Sequence, residues 1–244
     1  MAPFDAILFD LDNTLCTNDQ SGETIYAGAF DAAGLDRFGE PSDLWAALDG
    51  PPDHDDHEGY LADGFERVAA KHDREGVDVR ALARGFVETV DHSAVSFRPG
   101  AEAALAAARD HASVGLVTNG PERRQSIKLD ALGIADAFDA VVFAGDMPRR
   151  KPHSDPFERA LDALDAEANA SLHVGDSLEF DVDGAHRAGL DAAWCPVETE
   201  ADGAGGADGA DGPDAPRAPD AGSHAPAYVL RSLADFPAIL DGEP

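Results

Sequence analysis

Two carboxylates stand one residue apart at the end of an apolar run. Residues 4–16 read FDAILFDLDNTLC, in which Phe, Ile and Leu deliver Asp10 and Asp12 with Leu11 between them. Acids so spaced at the end of a strand face the same way, where they repel each other and lose hydration to the core. Such a pair persists only if something beside it answers the charge. Three more polar groups are spaced along the chain: Thr118-Asn119-Gly120 and Gly175-Asp176-Ser177, each at the end of an apolar run and the latter with Asp181 shortly after, and Lys151-Pro152, some residues beyond the run at 140–143.

The elements that must position these groups are legible as short apolar runs. Strands are predicted at 4–10, Ser113–Thr118, Ala140–Phe143, Leu172–Val174 and Ala192–Cys195. Helical patterns fill the gaps at Ala101–Arg109, Glu122–Leu132, Asp155–Leu164 and Asp181–Ala188. This alternation implies βαβ units, an α/β fold with a Rossmann-like parallel sheet, and ligands at the carboxyl ends of the strands.

Residues 16–96 break the pattern. They hold no convincing strand, but helices are predicted at Glu23–Ala33, Glu58–Lys71 and Val79–Val90, with Val79, Leu82, Phe86 and Val90 on one face of the last. The stretch reads as an inserted all-α domain, flanked by a core of residues 1–15, 97–197 and 227–244. Residues 198–226 are rich in Asp, Gly, Ala and Pro, a composition that buries too little apolar surface to offset chain entropy, and they are predicted to form a disordered acidic loop. Beyond it, Tyr228–Leu230 reads as a strand and Ser232–Leu240 as a helix capped by Ser232.

Taken in order, Asp10-Leu-Asp12-Asn-Thr, Thr118-Asn119-Gly120, Lys151-Pro152 and Gly175-Asp176-Ser177 with Asp181 resemble the haloacid dehalogenase (HAD) superfamily, mostly aspartate-nucleophile phosphohydrolases. The helical insert lies where that family places its C1-type cap. The resemblance implies that Asp10 attacks phosphorus and that Asp12 protonates the departing oxygen, then takes a proton from water. Thr118 and the Asn119 backbone N–H would hold phosphoryl oxygens, with Lys151 offsetting the repulsion between nucleophile and phosphate. Asp10, Asp176 and Asp181 offer hard oxygen ligands for Mg²⁺, with the backbone carbonyl of Asp12 as a further ligand by the same resemblance. Asp176 and Asp181 retain a plainer reading as caps of the helix that follows. Hinges of the cap are expected near 16–20 and 94–100, with Gly100 giving backbone freedom.

Composition narrows the partners. The chain carries 48 acids against 18 bases, a formal charge of −30, and has only three lysines, Lys71, Lys128 and Lys151. Such a surface repels nucleic acid and anionic lipid. It fits a salt-rich cytoplasm, where the Debye length falls to about 3 Å at 1 M. The chain has no apolar run long enough for a membrane span, no basic leader, and two cysteines without metal or disulfide spacing. Cys16 reads as a packing residue, Trp45 and Phe65 as core, and His54 and His57 as part of a solvated acidic loop.

The expected activity is Mg²⁺-dependent hydrolysis of a small phosphorylated metabolite. A phosphomutase of the same fold would use the same residues. A 2-haloacid dehalogenase attacks carbon and has no use for Asp12 as an acid, and a non-catalytic phosphate-binding protein would not require the full set.

Overall fold

A computed structural model of the chain describes residues 4–50, 56–197 and 225–242. Residues 198–224 of the low-complexity loop and His54 lie outside them. In chain order the elements are β1 (Ala6–Phe9), β2 (Cys16–Asn18), α1 (Gly22–Ala33), α2 (Pro41–Ala47), α3 (His57–Lys71), α4 (Val79–Thr89), β3 (Val95–Phe97), α5 (Ala101–His111), β4 (Ser113–Thr118), α6 (Glu122–Leu132), β5 (Ala140–Phe143), α7 (Asp155–Leu164), β6 (Ser171–Gly175), α8 (Gly184–Ala188), β7 (Asp191–Trp194), β8 (Tyr228–Val229) and α9 (Phe236–Leu240).

Six strands form one parallel sheet in the order β5-β4-β1-β6-β7-β8. All four residues of β1 are buried, because the pleat sends successive side chains to opposite, equally covered faces. Ile7 and Phe9 join Val114, Leu116 and Val174 against α5 and α9, while Leu8 joins Val117, Val142 and Phe157 on the other side. The chain enters at β1 and builds outward in both directions, β4 on one side and β6 on the other. That reversal of strand order opens a crevice at the carboxyl ends beside β1, where ligands of open α/β sheets bind.

The chain divides into two compact units. One comprises residues 4–17 with 95–197 and the C-terminal elements; the other, among the described residues, is Asn18–Ala94. The second has its own aromatic core, in which Tyr26, Phe30, Phe65 and Phe86 are buried, and Trp45 meets Phe86 edge-on at 5.8 Å. Helices α1 and α4 approach closely because Gly85 leaves room for the Ala29 carbonyl, which a Cβ would meet at 2.7 Å.

Three local expectations are corrected. Cys16–Asn18 and Val95–Phe97 pair as a two-stranded ribbon, so the stretch from 16 to 96 is not strand-free. Three residues are too few for a period to show. The helix expected at Asp181–Ala188 starts earlier, as a π-helical turn at Leu178–Asp183 that runs into α8, and Ser177 caps it by accepting the Phe180 N–H at 3.1 Å. The segment after Ser232 is a 3₁₀ turn, Leu233–Asp235, before α9, because Pro237 lacks the N–H needed to carry one helix through.

Gly100, before α5, has φ +86°, and a Cβ there would fall 2.2 Å from the Ala234 nitrogen. Conformation and contact together require glycine. Gly100→Ala is expected to cost about 2 kcal/mol or more, read as a lower urea midpoint at unchanged slope in molar KCl. An unchanged midpoint would show that the backbone there yields easily.

Candidate active site

Asp10 follows the last residue of β1, and its N–H donates to the Val174 carbonyl at 2.9 Å, so its backbone is held against β6. Its side chain is buried. Lys151 Nζ lies 2.7 Å from Asp10 Oδ1 and 2.7 Å from Asp181 Oδ1. The lysine is held from behind by Asn119: the amide Oδ1 accepts the Lys151 N–H at 2.9 Å and the amide nitrogen donates to the Lys151 carbonyl at 3.1 Å. The loop after β4 thereby fixes the one ammonium that faces the nucleophile position.

Asp181 reaches the same cluster from the π-helical turn. Its Oδ2 accepts the Ser177 N–H at 3.0 Å, and His173, buried in the middle of β6, places Nε2 2.9 Å from Oδ1. A carboxylate accepts, so that nitrogen carries the proton. Gly175 makes the approach possible, since a Cβ there would sit 2.1 Å from Asp181 Cγ. Because Ser177 supplies the cap, the capping reading of Asp176 and Asp181 fails, and their carboxylates are directed elsewhere. Asp10, Asp176 and Asp181 each offer one oxygen, all within 4.8 Å of one another. Thr14 Oγ1 donates to Asp176 Oδ1 at 3.4 Å.

The electrostatics of this group are out of balance. Burial pushes Asp10 up to about 7; Lys151 opposes the rise, while Asp181 and Asp12 add to it. Burial and the charges of Asp181 and Asp10 likewise hold Asp176 well above the carboxylate range. Burial acts on Asp181 too, but Lys151 and His173 outweigh it and keep that carboxyl below its usual range. Lys151 remains charged: burial disfavours the ammonium, and the two carboxylates more than compensate. One ammonium therefore serves three close carboxylates, and two of them would take up protons unless more positive charge arrives. An all-oxygen donor set in that condition suits a hard divalent cation.

Asp12 is placed apart from this trio. Its Oδ1 lies 2.7 Å from Lys128 Nζ and its Oδ2 2.6 Å from Gln125 Nε2, both on α6. Gln125 Nε2 is also 2.6 Å from Thr118 Oγ1. The structure therefore brings Asp10, Lys151, Asp176 and Asp181 into one contact group and links Asp12 to Thr118 through a second. Arg98 ties the loop together by donating to the carbonyls of Asn13, Cys195 and Pro196.

Gln125, Lys128, His173 and Arg98 were not singled out in the sequence. For Lys128 a signal existed: in a chain with three lysines, two are buried beside these carboxylates. Gln125, Lys128 and Leu129 are the buried residues of α6, so its inward face is largely polar where an apolar stripe is the rule. Cys16 and Cys195 are buried free thiols, and Cys16 packs in the main core.

A family model of haloacid dehalogenase-like hydrolases matches residues 4–189. The chain belongs to this family. A second model, of HAD-like hydrolases, matches residues 148–236. Over 209 residues the HAD chain is 29% identical to a ribulose-1,5-bisphosphate 5-phosphatase of Halopiger xanaduensis, covering 81% of this chain and 87% of that protein. It is 36% identical over 97 residues to the pyrimidine 5'-nucleotidase YjjG of Escherichia coli, covering 39% of this chain and 43% of that one. Several other curated relatives of this HAD chain are likewise matched over less than half of their length. Among solved structures, the HAD hydrolase YfnB of Bacillus subtilis, bound to magnesium, superposes with a TM-score of 0.69 at 19% identity, covering 98% of this chain and 99% of that one. No helix among the described residues is long and apolar enough to cross a membrane.

Proposed function

We propose that this HAD chain is a Mg²⁺-dependent phosphomonoester hydrolase that uses Asp10 as nucleophile and acts on a small phosphorylated metabolite. The observation that carries the reading is the convergence of Asp10, Asp176 and Asp181 oxygens within 4.8 Å around a single buried ammonium at the strand ends. Matched relatives named as phosphatases and as a 5'-nucleotidase support it. Asp10, Asp176 and Asp181 are the residues that would hold Mg²⁺, whose charge offsets their mutual repulsion and that of an ester dianion.

The remaining chemistry belongs to the side chains. An Asp10 oxygen bonds to phosphorus as the ester P–O bond breaks, and Asp12 gives its proton to the departing oxygen. Water then attacks the aspartyl-phosphate and gives a proton to Asp12 as the bond to Asp10 breaks and inorganic phosphate leaves. Thr118 and the Asn119 N–H hold phosphoryl oxygens, and Lys151 keeps Asp10 and the phosphate from repelling each other. The Asn18–Ala94 unit, inserted after β1, acts in this reading as the cap that selects the leaving group.

The test is hydrolysis of para-nitrophenyl phosphate in molar KCl. Release of nitrophenol is expected with Mg²⁺, to be lost in excess EDTA and restored by Mg²⁺ in excess of the chelator. No release under any of these conditions, or release indifferent to EDTA, overturns the proposal.

A further inference from the structure

We propose that Gln125 and Lys128 are a positioning pair that aims Asp12 and orients the Thr118 hydroxyl, equipping the site for unactivated alkyl phosphates. This rests on the reading of Asp12 and Thr118 given under Proposed function. Burying an ammonium and an amide on the inward face of a helix is costly unless each finds partners. Both find them in these two residues. Lys128 Nζ holds Asp12 Oδ1 at 2.7 Å, and Gln125 Nε2 holds Oδ2 at 2.6 Å.

The Gln125 amide can face only one way. Its nitrogen must point at the carboxylate, because its oxygen at 2.6 Å from Asp12 Oδ2 would meet like charge. One N–H then goes to Asp12 and the other to Thr118 Oγ1 at 2.6 Å. The Gly120 N–H also donates to that hydroxyl oxygen, at 3.4 Å. With both lone pairs of Thr118 Oγ1 engaged, its own proton is left to be donated, and a phosphoryl oxygen needs that donor. Gly120 is shaped to the same purpose, since a Cβ there would fall 2.4 Å from Gln125 Cδ.

Each Asp12 oxygen keeps a second lone pair, through which a proton can pass while Lys128 and Gln125 fix the plane of the carboxyl group. That restraint matters most when the departing oxygen needs a proton. A nitrophenolate leaves without help, whereas an alkoxide does not. A purely structural tie between α6 and the loop after β1 would affect both kinds of ester alike.

The experiment compares kcat/KM on para-nitrophenyl phosphate and on glycerol 2-phosphate, with Mg²⁺ in molar KCl, for the full chain and its variants. Lys128→Met is expected to lose about 30-fold on glycerol 2-phosphate and only about threefold on the aryl ester, a part of the 10²- to 10⁴-fold that general acid–base catalysis supplies. Asp12→Asn is expected to widen the gap further, and adding Lys128→Met to Asp12→Asn to widen it no more, since nothing is left to aim. If Lys128→Met fails to fold by circular dichroism, Lys128→Gln is read by the same ratio. Equal losses on the two esters, or additive losses in the double variant, overturn the positioning role alone. A wild-type chain inert on both esters overturns the phosphatase reading instead.

Discussion

Asp10→Asn is expected to abolish ester turnover while leaving the fold intact. The substitution keeps the shape of the side chain but removes the attacking oxygen and one of three converging acidic ligands. Loss of a covalent nucleophile in a hydrolase costs roughly 10⁴- to 10⁶-fold in kcat, and the neighbouring Asp181 does not substitute, being committed to Lys151, His173 and the Ser177 N–H. The fold should hold because Lys151 keeps Asp181 as a partner at 2.7 Å. In EDTA the sign of any stability change follows from the raised Asp10 carboxyl, pushed by burial from 3.8 up to about 7. A carboxyl raised in the folded state stabilises it at low pH, and that contribution is lost as pH rises through about 7. At pH 8 the wild type without metal therefore carries a penalty that the Asn variant lacks, and the variant should melt no lower. Turnover near the wild-type level would refute the nucleophile; a melting temperature well below wild type at pH 8 would refute the electrostatic account.

The second large effect is expected from salt alone. Dialysis from about 3 M KCl, where the Debye length is below about 3 Å, into dilute buffer should unfold the chain or lower its melting temperature by tens of degrees. The chain has a formal net charge of −30, and of the acids among the described residues only Asp10 and Asp181 are buried. Two unit charges 10 Å apart in water repel by about 0.4 kcal/mol. Summed over many such pairs, that competes with the about 5–15 kcal/mol by which a domain is stable. Ion pairs such as Lys71–Asp43 and Arg149–Asp155 are exposed and too few to offset it. A melting temperature unchanged by dialysis would show that the surface tolerates its charge without screening.

Much of this was written in the sequence because a strand buried on both faces leaves a distinctive trace. Four consecutive apolar residues at 6–9 ending in Asp10 admit few other readings, and the runs before Thr118 and Asp176 repeat the pattern. Asp10, Thr118 and Asp176 were legible for the same reason, each standing at or just past the end of a strand, while Lys151 and Asp181 lie several residues beyond theirs and were legible only by their place in the motif series. Gln125 and Lys128 were not, because polar residues in a helix ordinarily face water and nothing local says that this face turns inward. His173 was hidden inside an apolar run, its role set by an aspartate eight residues on. The ribbon of Cys16–Asn18 and Val95–Phe97 joins residues too far apart for any local pattern to announce. Ser177, rather than either neighbouring aspartate, caps the turn, since Asp176 and Asp181 are drawn off by partners supplied from other parts of the chain.

The strand order has a consequence for how the molecule comes into being. β1 is made first yet finds its neighbours only in β4 and β6, at residues 113–116 and 171–174. On the ribosome it must wait, greasy and unpaired, until most of the polypeptide has emerged, and parallel pairings of such long range form slowly. A nascent copy stalled before Asp181 lacks part of its chemistry, and β1 stays exposed to aggregation until its late-arriving neighbours cover it.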